Sequence, residues 1–346
     1  MPDSNKNISQ MHTQPQSLKD SFGRKINYLR LSVTDRCDLR CSYCMAEKMT
    51  FLPKSEVLNL EEMLKLSQAF IDRGVRRIRL TGGEPLVRKN ILWLIERLGK
   101  EVEAGRLDEV TLTTNGTQLP HMAEKLYEKG IRRVNVSLDT LDPALFRKIT
   151  RRNQLETVLE GIIAAKKAGL KVKINTVAMR HTNEHELPLL LDWAVENSLD
   201  LTLIETMPLG KVEGTREDVY LPLSAVLPRL QQNRSLTPSI SKTGGPARYY
   251  DIGATGLKLG LITPLTNNFC EGCNRVRVTC TGRIYMCLGQ DDHVDLRAAL
   301  RSTDPKRNLA ICLEKAMGLK PFGHDFAISA GEMKGMVNRH MSQTGG

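Results

Sequence analysis

Strand-like and helix-like runs alternate from about residue 25 to 206, and the alternation predicts an α/β protein: an incomplete (β/α)6 TIM-like barrel with a smaller C-terminal segment covering its open side. Two further observations point the same way. The β-rich runs recur every ~25–35 residues, the period of a βαβ unit. Glycines also stand where helix C-caps call for positive φ, at Gly74, Gly105, Gly130 and Gly169. A doubly wound open sheet is the alternative arrangement of the same units.

In chain order the strands are expected at Ile26–Val33, Val75–Leu80, Glu109–Thr113, Arg132–Ser137, Lys171–Val177 and Leu199–Ile204. Helices are expected at Leu60–Arg73, Asn90–Glu103, His121–Lys129, Thr157–Ala168 and Glu184–Asn197. Residues 1–21, polar and without an apolar signal core, are expected to be a disordered extension. Residues 22–207 form the barrel. Residues 208–346 lose the alternation, pass through turns such as Gly244-Gly245-Pro246, and contain a β-ribbon and helices near Val294–Arg301 and Leu309–Met317.

Parallel-sheet enzymes gather their chemistry at the carboxyl ends of the strands. Here those ends carry Cys37-x3-Cys41-x2-Cys44, Thr81-Gly82-Gly83-Glu84-Pro85, Thr114-Asn115-Gly116, Ser137-Leu138-Asp139 and Glu205-Thr206-Met207, with Lys173 and Asn175 on the fifth strand. One rim is therefore expected to hold the site.

The chain has 346 residues, a formal net charge of +11 and 5% aromatic residues. Nucleic-acid binders look like this, and so do enzymes of polyanionic small molecules. The cations are spread over many segments with no interleaved aromatic platform, which favours the small molecule over nucleic acid. No run of about 18 apolar residues suggests a membrane span. Eight cysteines are too sparse for a disulfide scaffold, and their clustering suggests metal ligation in a reducing compartment, the cytoplasm by default.

Cys270-x2-Cys273-x13-Cys287 repeats the theme of three thiols without a fourth. Zinc would want a further Cys or His for a closed site, and no histidine is suitably spaced. A cubane iron–sulfur cluster on three thiolates leaves one iron open to a small molecule, which suits both motifs. Between them, Arg275 and Arg277 share one face of a strand, with Val276, Val278 and Cys280 on the other. Cys280 reads as core rather than as a ligand, and Cys312 as core on a helix.

These motifs together resemble the radical S-adenosylmethionine (SAM) superfamily, and within it the GTP 3′,8-cyclase family of molybdenum-cofactor biosynthesis. The carrying residues are Leu31–Cys37, the first triad, Leu80–Pro85, Thr113–Gly116, Asn135–Asp139, the second triad with its Arg-x-Arg, and Gly345-Gly346. The resemblance implies a lyase with two 4Fe–4S clusters. Cys37, Cys41 and Cys44 would hold the first, whose open iron chelates SAM, and Cys270, Cys273 and Cys287 the second, whose open iron binds guanine. It implies SAM contacts at Tyr43, Gly83, Ser137 and Met207. It implies GTP contacts at Arg30, Arg79, Thr114, Lys173, Arg275, Val276 (through main chain) and Arg277, with Arg275 and Arg277 as contributors to catalysis. A 5′-deoxyadenosyl radical would take the hydrogen from ribose C3′, and C3′ would close on C8 to give (8S)-3′,8-cyclo-7,8-dihydroguanosine 5′-triphosphate. The Gly345-Gly346 tail would reach into the site. A homodimer, an unidentified electron donor and a functional link to cyclic pyranopterin monophosphate synthase complete what the resemblance implies.

Two other readings remain at this point. Another radical SAM enzyme with an auxiliary cluster, acting on a peptide, would share the motifs. A zinc-stabilised nucleic-acid-binding protein would share the cysteines and the charge.

Overall fold

Six strand–helix units follow one another: β1 (Tyr28–Ser32), α1 (Leu60–Ile71), β2 (Arg77–Thr81), α2 (Ile91–Glu103), β3 (Glu109–Thr114), α3 (Leu119–Glu128), β4 (Arg133–Ser137), α4 (Pro143–Thr150), α5 (Leu155–Lys167), β5 (Lys171–Ala178), α6 (Leu187–Glu196) and β6 (Asp200–Glu205). The structure, a computed structural model, describes residues 17–210, 216–329, 332–334 and 337–345. All six expected strands form within a few residues of their expected bounds. The four helix-end glycines do adopt positive φ, from +70° to +95°. One helix, α4, was not expected from periodicity. It starts at Asp142, whose carboxylate caps the Leu145 amide at 2.6 Å, and takes Pro143 in its first turn.

The C-terminal part adds α7 (Arg216–Val219), α8 (Leu223–Asn233), β7 (Leu236–Pro238), β8 (Arg248–Ile252), β9 (Lys258–Ile262), β10 (Arg275–Val278), β11 (Arg283–Tyr285), β12 (His293–Asp295), α9 (Leu296–Leu300), α10 (Pro305–Gly318), a small β13–β14 hairpin (Ala327–Ser329 and Glu332–Lys334) and α11 (Met341–Thr344). It does more than cover the six strand–helix units. β9 lies parallel beside β6, and β10 lies parallel beside β1. The result is one sheet of 12 strands in the order β12-β11-β10-β1-β2-β3-β4-β5-β6-β9-β8-β7. Each added parallel strand is one arm of an antiparallel ribbon, β8–β9 or β10–β11. Its sequence therefore reads as a hairpin and hides the parallel partner.

Side chains on these strands alternate between two environments. Leu29, Leu31, Ile78, Leu80, Val110, Leu112, Val134, Val136, Ile174, Leu201 and Leu203 are buried in one continuous core with helix residues such as Leu66, Phe70, Leu94, Leu126, Ile162 and Leu190. Cross-strand pairing puts Arg30, Arg79, Thr111 and Arg277 together on the opposite face. One face of the sheet is thus a packed apolar layer, and the other is polar and strongly cationic.

The expected disordered extension stops short of residue 18. Leu18 is buried, its amide bonds to the Arg73 carbonyl at 3.1 Å, and Lys19 bridges Lys25. A single apolar residue in a polar stretch gives composition nothing to detect, yet it anchors the segment. Leu18→Ala is expected to cost about 2–3 kcal/mol, at the lower end for a large-to-small core change. Denaturant unfolding measures this, and a cost near zero would return residues 17–21 to a loose extension.

Candidate active site

The first cysteine loop sits on a seat made by glycines. The Gly83 amide donates to the Thr34 carbonyl at 2.9 Å, and the Glu84 amide to the Arg36 carbonyl at 2.8 Å. A Cβ on Gly82 would stand 2.4 Å from the Thr34 oxygen, and one on Gly83 would stand 2.3 Å from the Arg36 oxygen. Only glycine lets two backbones approach this closely. The missing Cβ of Gly83 makes room for the 34–36 segment that leads from β1 to Cys37.

Beyond the seat, polar side chains hold the loop. Asp38 accepts from Asn115 Nδ2 at 2.6 Å, Thr117 Oγ1 at 2.6 Å and Gln118 Nε2 at 3.0 Å. Glu84, fully buried, accepts from the Leu86 and Asn115 amides and from Thr114 Oγ1, at 2.6–2.9 Å. Burial pushes its pKa up to about 8, against those three donors. Tyr43 donates to Asp139 at 2.8 Å, and the Val177 amide donates to the same carboxylate at 2.9 Å. Cys41, Tyr43, Asn115, Ser137 and Asp139 line one small cavity of about 20 Å³. All three cysteines of the loop are partly buried and none is in a disulfide. Burial first, and then Glu84, pushes Cys37 up to about 12; burial and Cys44 raise Cys41 as well. Such sulfurs become thiolates when a metal offsets their charge, so the donor set suits a soft iron centre.

Arg277, Arg30 and Arg79 are cross-strand neighbours, with Thr111 next in the row. All three arginines are at most 9% exposed, and among the described residues neither they nor Arg275 and Lys173 form an ion pair with a carboxylate. Arg79 rests over Tyr28 at 5.6 Å, 3.0 and 3.1 Å from the Asn135 amide oxygen. Arg275 rests over Phe269 at 5.6 Å, and Lys173 donates to the Tyr249 hydroxyl at 2.8 Å. Burial, followed by Arg275, brings Arg277 down to about 9; burial, followed by Arg277 and Arg79, takes Arg30 well below its ordinary value. On the same face, Arg30 Nε, Arg275 Nε, Thr81 Oγ1, Thr113 Oγ1 and Thr202 Oγ1 are buried without a partner among the described residues. Buried cations and donors in this state call for an anion with many acceptor oxygens.

The second triad lies at the other end of the sheet, not on the rim expected from the sequence. Cys273 precedes β10, whose Arg275 is level with Tyr28 at the start of β1, and the Asn274 carbonyl accepts from the Asn27 and Tyr28 amides. The first triad follows the end of β1. Four residue steps at ~3.3 Å put the two triads on the order of 13 Å or more apart along the strands, with the arginine row between them. Arg24, ion-paired to Asp20 at 2.6 Å, donates to the carbonyls of Cys270, Pro321 and Phe322 and so ties the N-terminal segment to this triad. Burial alone would raise Cys273, but Lys320 and Arg275 outweigh it and hold the thiol below its ordinary value. Cys280 is 1% exposed within the main core, as expected, and Cys312 packs against that core. At this same N-terminal end of the strands, a cavity of about 450 Å³ is lined by Arg77, Arg133, Lys173, Tyr249 and Lys258, among others.

Several expected site residues are placed differently. Thr114 pairs with Val136 on the core face and donates to Glu84, so its hydroxyl turns away from the arginines. Thr113, one residue earlier, is on the arginine face with a buried, unpartnered hydroxyl. Strand phase tells the two apart, and a motif match does not. Val276 faces the core, which leaves its main chain for any ligand. Met207 packs against the small apolar cluster of Leu209, Phe326 and Val337. Gly345 lies against the arginine face: its carbonyl accepts from Arg277, and a Cβ there would stand 2.0 Å from Thr81 Oγ1. Gly346 lies outside the described residues. The sequence reading missed Thr113, Tyr249 and Lys320. Of these, only Thr113 carried a signal, through the two-residue period of β3.

Comparison with known proteins accords with this geometry. Residues 31–194 match the radical SAM superfamily, and residues 199–326 match Molybdenum Cofactor Synthesis C. The GTP 3′,8-cyclase of Rhizobium meliloti (strain 1021) is 60% identical over 336 residues, covering 97% of this chain and 96% of that one. The chain belongs to the GTP 3′,8-cyclase family. A family member from Erythrobacter litoralis (strain HTCC2594) is 58% identical over 329 residues, 95% of this chain and 98% of its own. Among solved structures, Streptococcus suis SuiB bound to S-adenosylmethionine superposes with a TM-score of 0.53 at 18% identity, covering 80% of this chain and 64% of that one. SuiB bound to precursor peptide SuiA gives 0.55 at 15%, covering 86% and 72%. These two share the fold.

Asp139 gives the site a pH signature. Burial raises its pKa from 3.8 to about 6, against its two hydrogen bonds. The folded state therefore keeps the proton longer than the unfolded state. Its contribution to stability is full below pH 3.8 and is lost as pH rises through about 6, a change on the order of 3 kcal/mol. Denaturation of the metal-free protein is expected to show this slope, and Asp139→Asn to remove it. Equal slopes in both proteins would refute the assignment.

Proposed function

We infer that the protein is a radical SAM lyase that closes GTP into (8S)-3′,8-cyclo-7,8-dihydroguanosine 5′-triphosphate, the first step of molybdenum-cofactor biosynthesis. The observation that carries this reading is the row of buried, unpaired cations between two three-thiol sites at opposite ends of one sheet. A triphosphate supplies the charge and the oxygens that Arg30, Arg79, Lys173, Arg275 and Arg277 lack, and guanidinium forks suit its geometry. Cys37, Cys41 and Cys44 would hold one 4Fe–4S cluster, with Tyr43 and Ser137 beside SAM, the Gly83 main chain at the loop's seat and Met207 at its margin. Cys270, Cys273 and Cys287 would hold the other. When bound, the first cluster and SAM supply the hydrogen-abstracting power that ribose C3′ requires, and the second offers guanine an open iron.

The chain's own residues do the rest. The arginine face fixes the triphosphate and so limits where the ribose can lie. Thr113, rather than Thr114, adds a hydroxyl to that face, and the Val276 main chain is available beside it. Gly345 caps Arg277, and the Gly345-Gly346 tail would be part of the substrate site. Loss of one hydrogen atom from C3′ and closure of C3′ on C8 leave the ring one electron and one proton short of the dihydro product, which the reductant and solvent supply. A rigid wall that shields the radical therefore serves the reaction better than a flexible one. We further propose that the sheet from β1 to β6 curls as an incomplete (β/α)6 barrel, residues 22–207, completed by a C-terminal unit, residues 208–346. A homodimer, a cytoplasmic setting, an unidentified electron donor, and a product passed to cyclic pyranopterin monophosphate synthase agree with this reading.

The test is anaerobic reconstitution, iron and sulfide analysis, and incubation with SAM, reductant and GTP. About eight irons per chain and GTP-dependent 5′-deoxyadenosine are expected. SAM cleavage that ignores GTP and responds to a peptide would overturn the substrate. Cys41→Ala is expected to abolish SAM cleavage; Cys287→Ala and Arg277→Ala should impair GTP turnover, with the first cluster intact in both. Thr113→Val is expected to weaken GTP binding roughly fivefold or more, the worth of about one hydrogen bond. Thr114→Val should leave GTP affinity unchanged and lower stability by about 1 kcal/mol, because Glu84 loses a donor. The reverse pattern would restore Thr114 as the substrate contact.

A further inference from the structure

Lys320, just past the end of α10, is 3% exposed. Its ammonium donates to Cys273 Sγ at 3.5 Å, to the Arg275 carbonyl at 3.2 Å and to the Met286 carbonyl at 2.7 Å. Those three acceptors use all three of its protons. They also come from both halves of the second triad: Cys273 and Arg275 from one strand of the ribbon, and Met286, next to Cys287, from the other. An ammonium buried this completely is costly unless something nearby carries negative charge. The atom that offers it is a thiol sulfur. Arg24, a further cation at this triad besides Arg275, pairs with Asp20 and main-chain carbonyls and reaches no sulfur among the described contacts.

We propose that Lys320 is a positioning residue for the second cluster, holding Cys273 and Cys287 in register and setting the cluster's reduction potential through a charged N–H···S bond. A cubane on three thiolates carries net negative charge that grows by one on reduction. A fixed cation against one of its sulfurs therefore stabilises the reduced state more than the oxidised state, as hydrogen bonds to cluster sulfurs do generally. A lysine that merely filled space or tied the ribbon together would affect folding and leave the potential alone. The proposal rests on the reading that the second triad holds a cluster.

The experiment is a potentiometric EPR titration of reconstituted holoenzyme, with the second-cluster signal identified from protein lacking Cys37, Cys41 and Cys44. In Lys320→Gln the second cluster is expected to become harder to reduce, by at least tenfold in the oxidised-to-reduced ratio, or ~59 mV for one electron. The first cluster should be unchanged. Lys320→Arg, which keeps the charge, is expected to restore most of the shift. A potential unchanged in Lys320→Gln would overturn the proposal. Loss of the second cluster from Lys320→Gln, with its retention in Lys320→Arg and the first cluster intact in both, would support the positioning role. A further measurement needs no variant: unsubstituted protein carrying [15Nζ]lysine should show a nitrogen hyperfine coupling on the reduced second cluster, and its absence would overturn the contact. If unsubstituted protein holds only about four irons, the two-cluster reading fails instead, independently of the lysine.

Discussion

Like charge kept out of water organises this protein. Arg277, Arg30 and Arg79 stand side by side across three parallel strands, buried and without carboxylates. Neighbouring cations at about one strand spacing repel by a few kcal/mol even at an effective dielectric of ~20. The fold carries that cost on one face and offsets it on the other, where the strands' alternate residues enter a large apolar core with the helices. The rest follows from this division. Helices crowd one face, and the other is left to cations, hydroxyls, two three-thiol sites and a glycine tail. The stored unfavourable electrostatics become favourable when a polyanion arrives, so the free energy withheld from folding is available to binding.

The first thiol loop shows a different economy. Its shape depends on backbone meeting backbone, with Gly82 and Gly83 against residues 34–36 and Asp38 held by three donors from the loop after β3. Among the described residues, Glu84 and Asp38 press on Cys37, and Asp139 on Cys41. That arrangement disfavours free thiolates and makes the site selective for an occupant that brings its own positive charge. The second site is the opposite, with Lys320 and Arg275 beside Cys273. Two sites with the same three-thiol formula thus sit in fields of opposite sign.

Much of this was legible from residue order. The period of strands and helices and the glycines at helix ends depend on local sequence, and the six strands and four positive-φ glycines formed where expected, with α4 as an addition. What escaped depended on direction and phase. Nothing in Arg275–Val278 says that β10 runs parallel to β1, so the second triad was expected on the wrong rim. The choice between Thr113 and Thr114 is a matter of which side of one strand faces the arginines, and a motif cannot carry it. Leu18 and Lys320 were missed because a lone residue has no pattern. Their roles come from partners tens of positions away in the chain.

The bonds of Arg24 have a consequence for how the molecule is made. The second thiol site is assembled from both ends of the chain: Arg24 near the start, the 270–287 ribbon, and Lys320 with the carbonyls of 321 and 322. The direct supports of the first site, Glu84, Asn115 and Asp139, have all been synthesised by the time the first half of the chain is made. Because chains fold from the N-terminus as they are made, the two metal sites become available at different moments. The first can be shaped on the nascent chain, and the second only on a nearly finished one.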